Sequence, residues 1–242
     1  MPDEEDLEAL LDRTRATRFY PESRRNGLMI CGIEWGHSKH EVDNGDERKT
    51  FFSDGSVPTG HPYRPRLIEW FKLFGHPLRE DCGSVKEDCN KRCQFECSII
   101  QTNWLTGDAH DIGKRNIIQE CIDARGQFFR RLEALQPRLI IFVSVNLLRA
   151  LNAPQCLPEA QRILGVPLQK EPDIHQLDIP PLPNGKAFKK FNFGFQRFER
   201  TQVLALLHPA SRGLASEYVR AFASEVGPHI QRFKDAMEFD AP

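Results

Sequence analysis

Four short apolar runs punctuate the chain: LMICGI at 28–33, SIIQTNW at 98–104, LIIFVSV at 139–145 and QVLALLH at 202–208. Each is nearly continuous in apolar residues yet too short for a helix, the pattern of parallel strands covered on both faces. Between them, 66–74, 114–135, 158–164 and 214–237 carry apolar positions at helical spacing. In the last of these, Tyr218, Phe222, Val226, Ile230 and Phe233 recur every three or four residues. That spacing predicts one buried stripe, with Arg220, Glu225 and Lys234 exposed. The alternation predicts an α/β fold, three-layer αβα, with a central and mainly parallel four-stranded sheet.

Two stretches interrupt the scheme. Residues 75–97 contain four cysteines, and residues 166–186 contain five prolines, at 167, 172, 180, 181 and 183. Proline removes ladder donors and favours extended loop, so the second stretch predicts a surface excursion. After it, Phe191, Phe193 and Phe195 alternate with Asn192, Gly194 and Gln196, strand spacing that predicts an added β-hairpin. A length of 242 residues suits one domain with insertions at about 75–97 and 166–200. A chain of that size buries about 70% of its unfolded surface.

Composition narrows the class. Apolar residues make up 40% and charged residues 28%, values of an ordinary folded protein rather than a disordered or fibrous one. The acidic start, MPDEEDLEALLDRTRATR, does not read as a secretory leader. The longest apolar runs fall far short of the roughly 20 residues that span a bilayer. The expectation is an intracellular protein with no membrane partner, cytoplasmic or in the nucleoid if bacterial. Lysine plus arginine total 33 against 34 acids, so no overall field draws in nucleic acid and any such contact must be local. Arg13, Arg15, Arg18, Arg24 and Arg25 near the start, or Lys189, Lys190, Arg197 and Arg200 near the end, are candidates for it; solvated faces are the plain alternative.

Ligands of open parallel sheets bind beyond the carboxyl ends of strands, so the residues closing each apolar run matter most. The first run leads into GIEWGHS, where Gly32 and Gly36 permit a tight backbone path and Glu34 supplies a carboxylate. Then TFFSD offers Phe51, Phe52 and Ser53, TNWLT ends the second run with Asn103, and HPASRG follows the fourth with His208 and Pro209. Taken singly, a strand-end histidine is commonly structural and a Phe-Phe pair commonly core.

In their order and placement these residues resemble the uracil-DNA glycosylase superfamily over roughly 28–237. Its first motif is Gly, two variable residues and then Pro-Gly or Pro-Tyr, with an acid or amide at the third place. Glu34 holds that third place, and Trp35 stands where proline is usual. Phe52 and Ser53 match the family's Phe-Ser, followed by Pro58, Pro65, Leu67 and Ile68; Asn103 matches its strand-end asparagine; His208, Pro209 and Ala210 match its late His-Pro motif. The resemblance implies a glycosylase acting on a base extruded from single- or double-stranded DNA. It implies Glu34 and His208 as catalytic residues, with Gly32, Ile33, Trp35, Phe52 and Asn103 around the base. Ser53, Ser211, Arg212 and Leu214 would lie on the DNA, Arg212 at a phosphate and Leu214 as an apolar wedge.

The chemistry suits these residue types. A base inside a duplex must be extruded, stacked on a ring such as Phe52 and read along its polar edge. Asn103 offers both an acceptor and a donor to uracil's adjacent N–H and carbonyl. Cleavage builds positive charge on the sugar and negative charge on the base. Glu34 answers the first and orients water, and His208 donates to the second. Glutamate is one methylene longer than the aspartate of the fast family members, a displacement of roughly 1 Å that costs about a hundredfold in rate. A slow enzyme, a binding protein that has lost efficient cleavage, and a nucleoside-binding protein all remain open. The plain alternative for Glu34 is a carboxylate that ties down its own loop.

No cofactor and no metal are expected. Cys82, Cys89, Cys93 and Cys97 form a group, the last three at helical spacing, but no C-x-x-C pair occurs and reduced helical thiols explain them. Gly107 to Lys114 fails as a phosphate loop: five residues separate its glycines, and Arg115 stands where a hydroxyl residue is required. Cys31, inside a predicted buried strand, is poorly placed for a nucleophile.

Overall fold

The computed structural model describes residues 17–18, 27–34, 63–78, 94–105, 115–177, 181, 190–209, 211 and 215–237. In chain order the elements are β1 (Thr17–Arg18), β2 (Leu28–Gly32), α1 (Tyr63–Leu73), α2 (Gln94–Cys97), β3 (Ile99–Asn103), α3 (Ile117–Asp123) and α4 (Arg125–Leu135). There follow β4 (Leu139–Phe142), α5 (Val145–Leu151), α6 (Leu157–Leu164), β5 (Asp173–Gln176), β6 (Asn192–Arg197), β7 (Gln202–Ala205) and α7 (Ser216–Ala236). The strands form one sheet in the order β1-β3-β2-β4-β7-β6-β5. Its centre is the four apolar runs, β3, β2, β4 and β7, all parallel. Antiparallel β1 extends one side, and antiparallel β6 and β5 the other.

Two-sided burial explains why the central strands read as unbroken apolar runs. Leu28 and Ile30 of β2 share one face with Ile99, Leu139, Ile141 and Leu204, packed against α1 and α7. Met29 and Cys31 point the other way with Ile100, Ile140, Phe142 and Val203, against α3 to α6. Three layers result, α/β/α. The stripe of α7 is buried at all five positions read from its spacing. Arg220 is exposed, whereas Glu225 and Lys234 are half-buried: Glu225 meets His175, and the Lys234 ammonium lies 5.3 Å from the Phe95 ring centre.

The structure departs from the pattern in four places. Among the described residues the sheet has seven strands, adding β1, β6 and β5 to the expected parallel four; β5 forms because the proline-rich stretch leaves Asp173–Gln176 free of proline, long enough for an edge strand on β6. The aromatic segment belongs to the main sheet through β7: β6 pairs with β7 on one side and with the edge strand β5 on the other. The third run stops at Phe142, since Ser144, in extended conformation, accepts the Asn146 N–H at 3.3 Å and caps α5. Its continuation, Val145 to Leu151, is apolar enough to read as more strand. The helical stretch 114–135 is two helices that meet at Ala124. Among the described residues no helix is long and apolar enough to cross a membrane.

Candidate functional site

The central strands run β3-β2-β4-β7, so the chain passes from β2 to one neighbour, β3, and then crosses to the other, β4. The crevice where that direction reverses, at the carboxyl ends of β2 and β4, is where such sheets bind ligands. Gly32 ends β2 there, and Ile33 and Glu34 follow it. Pairing continues beyond the strands, with Trp104 N–H on the Gly32 carbonyl at 2.9 Å and Leu105 N–H on the Ile33 carbonyl at 2.7 Å. The ends of β2 and β3 are thereby zipped together.

Gly32 and Asn103 are partners in register. A Cβ on Gly32 would stand 2.2 Å from Asn103 Oδ1, so only glycine lets the amide lie across β2. Asn103 itself is buried. Behind it Arg131, buried in α4, donates to the backbone carbonyl of Asn103, to that of Trp104 at 3.1 Å and to Thr102 Oγ1 at 3.4 Å. Trp104 is locked by its Nε1–H to the Cys121 carbonyl at 2.8 Å and by stacking on Phe128.

Glu34 is held from the α3 side. Its side chain is only 2% exposed, and one of its oxygens accepts from Arg115 Nη1. The same guanidinium binds Glu120 of α3, with Nε 3.0 Å from both carboxylate oxygens and Nη2 on one of them. Arg115 thus bridges two carboxylates, which favour its charged form; it holds Glu120 below the usual carboxylate value in return. Asn116 caps α3 through its Oδ1 and the Gln119 N–H, fixing the helix start next to this bridge.

His208 belongs to the opposite layer. It is exposed, and its ring centre lies 5.4 Å from that of Tyr63, a buried residue at the start of α1. The turn after β7 is closed by the Ser211 N–H on the His208 carbonyl at 2.8 Å. Arg66 of α1 clamps it, donating to the Pro209 carbonyl at 2.6 Å and the Ser211 carbonyl at 3.4 Å. Glu34 and His208 therefore share the carboxyl edge but sit on strands separated by β4, about 10 Å apart along the sheet. Between them Ser144 follows β4.

The structure brings Gly32 and Asn103 into contact, places Ile33 and Glu34 beside them, and sets His208 and Ser211 on the same edge. Trp35, Phe52, Ser53, Arg212 and Leu214 lie outside the described residues. So do Cys82, Cys89 and Cys93, together with the side chain of Cys97. Among the described residues no group of three or more His, Cys, Asp or Glu is arranged to hold a metal ion. Cys31 is buried in β2, and burial pushes its thiol far above the ordinary value; burial pushes that of Cys121 up to about 12.

Three residues absent from the sequence reading of the site stand out: Arg66, Arg115 and Arg131. Arg131 was detectable, since it falls three after Phe128 and four before Leu135, a cation inside an apolar stripe. Arg115 and Arg66 carry no such signal, because their partners on the sheet edge, Glu34 and the Pro209 carbonyl, are 81 and 143 positions away.

A cavity of about 270 Å³ opens on the amino edge of the sheet, lined by Arg138, Arg162, Arg200 and Thr201 among others. Its polar groups serve each other: Arg162 meets Glu133 at 2.6 Å, Arg200 donates to the carbonyls ending α6, and Thr201 donates to Pro137. It is a joint between α4, α6 and β7 on the far side from Glu34 and His208. No protein-family model and no curated protein matches the chain by sequence.

Proposed function

We propose that the chain is a DNA N-glycosylase, hydrolysing the bond between deoxyribose and uracil, or another deaminated base, in an extruded nucleotide. The observation that supports this reading is that an amide laid across a glycine, a carboxylate and an imidazole all end strands on one edge of the sheet, the carboxylate on the α3 side and the imidazole on the α1 side. Asn103 reads the base edge, Glu34 faces the charge that grows on the sugar, and His208 donates to the departing base. The oligonucleotide assay is direct: single- and double-stranded substrates carrying uracil, hypoxanthine or xanthine are incubated with the protein and then treated with alkali. Scission at one of these bases is expected. Intact strands throughout would overturn the reading. In the active protein, Glu34→Gln and His208→Ala each lower turnover by about 10²-fold while affinity for the extruded nucleotide is largely kept.

One observation favours a second reading, a nucleic-acid-binding protein without efficient cleavage. Glu34 is already engaged by Arg115, which takes up part of the charge that catalysis would use. Retention of lesion-containing DNA without scission would select this reading.

A further inference from the structure

The cavity on the amino edge is lined by three arginines from three separate pieces of chain: Arg138 between α4 and β4, Arg162 in α6, and Arg200 in the turn between β6 and β7. Two of them are held by other protein groups. Arg162 donates to Glu133 at 2.6 Å, with Glu159 further off at 3.8 Å, and Arg200 donates through Nε and Nη2 to the Arg162 and Ile163 carbonyls. Arg138 stands outside these contacts: its side chain is exposed and makes no hydrogen bond or ion pair among the described residues. The charges do not balance. Three arginines meet two carboxylates, Glu133 and Glu159; Glu199, next in sequence to Arg200, accepts the Val166 N–H at 3.0 Å and does not line the cavity. The carboxyl end of α6 offsets part of the Arg200 charge. The charge left over is that of Arg138.

We propose that this cavity binds a small phosphate monoester, with its phosphate on Arg138. Arg162 and Arg200, already fixed in place, add positive charge from two further directions. A phosphate group suits that arrangement better than a carboxylate: its three terminal oxygens take donors from several sides, whereas a carboxylate offers two oxygens in one plane. The volume of about 270 Å³ lies close to the smallest small-molecule sites, so an organic group attached to the phosphate also fits. Gln136 lines the same space, and its amide makes no side-chain hydrogen bond among the described residues, which leaves a neutral donor and acceptor for that organic part. The inference is independent of the glycosylase reading, since the cavity is on the far edge of the sheet from Glu34 and His208.

Titration calorimetry of the full chain with glycerol phosphate and with inorganic phosphate, at constant ionic strength in chloride, tests it. Saturable binding with a Kd on the order of 1 mM or below is expected, tighter for the monoester. Arg138→Gln should weaken binding by about tenfold or more, and Arg138→Lys, which keeps the charge but not the fork, should retain part of it. Because the Arg138 side chain holds no other group, neither substitution should move the melting temperature without ligand. Saturating glycerol phosphate should raise that temperature in the wild type and barely change it in Arg138→Gln. Absence of saturable binding would overturn the inference; so would binding indifferent to Arg138→Gln, or binding of inorganic phosphate with exclusion of the monoester. An undamaged DNA duplex serves as competitor. If it displaces glycerol phosphate, the phosphate site stands but its occupant is the DNA backbone and the monoester is ruled out; if it does not, the small monoester stands as the occupant.

Discussion

At the scale of single residues, Arg115→Ala strands a carboxylate that is nearly sealed from water. Breaking a buried pair from one side costs about 3 kcal/mol, because the remaining charge keeps its desolvation penalty. Urea denaturation should show that loss, and Glu34→Gln in the same chain should recover much of it. Gly32→Ala works differently. The added methyl meets the far end of the Asn103 amide, and a side chain yields more readily than backbone. Stability should therefore fall by only about 1 kcal/mol, whereas discrimination for uracil should fall as far as it does in Asn103→Asp. That carboxylate accepts but cannot donate, which leaves the base edge unpaired at a cost of about 2 kcal/mol or more. Competition between uracil and cytosine oligonucleotides, which differ along the edge that Asn103 would read, measures both variants. Gly32, Glu34, Asn103 and His208 were legible because strand ends can be located from local pattern. Of the arginines that hold them, Arg131 leaves a trace as a cation in the apolar stripe of α4, whereas Arg66 and Arg115 meet the strand ends through long-range packing that no local period encodes.

Elements carry the pH dependence. His175 on edge strand β5 lies between Asp173 at 3.1 Å and Glu225 of α7 at 2.9 Å. Burial opposes its protonation, but the two carboxylates outweigh burial and raise its pKa. A raised value means that this tie between β5 and α7 is fully present below about pH 6.5. It is lost as pH climbs through the raised folded value. His229, one helical span further along α7, has the opposite sign. Burial, then Arg232 and Arg197, lower its pKa to about 4, and it stacks on Phe195 with ring centres 4.6 Å apart. The unfolded chain takes up a proton below about pH 6.5 that the folded chain refuses until about pH 4, so stability falls as pH drops through that window. Melting curves across pH 4 to 8 should show His229→Gln flattening the acid side and His175→Gln flattening the near-neutral side, the latter by less than about 1 kcal/mol. The elements themselves were largely readable: all four central strands and α7 follow from apolar spacing. What failed was β5 among prolines and α5 behind Ser144, where a short gap and a single cap overruled the surrounding pattern.

For the molecule as a whole, a net charge of −1 means that DNA is not held by a general field. If the glycosylase reading holds, affinity for an abasic duplex should depend only shallowly on salt. Each neutralised phosphate contributes a slope of about −0.9 in log K against log salt, and a slope no steeper than about −4 is expected from a local contact. Titration from low to physiological salt gives that slope, and Arg212→Ala should reduce it by about 1 if that residue meets a phosphate.

The three arginines at the strand ends reach them from opposite sides: Arg66 from the layer of α1 and α7, Arg115 and Arg131 from the layer of α3 and α4. The arrangement therefore acts as a conjunction. Asn103 and Glu34 keep their geometry only while one layer is docked, and the His208 turn only while the other is. Local opening of either layer dismantles half of the edge although the sheet beneath it persists. Chemistry that needs both halves would then be switched off by partial unfolding well before the protein melts.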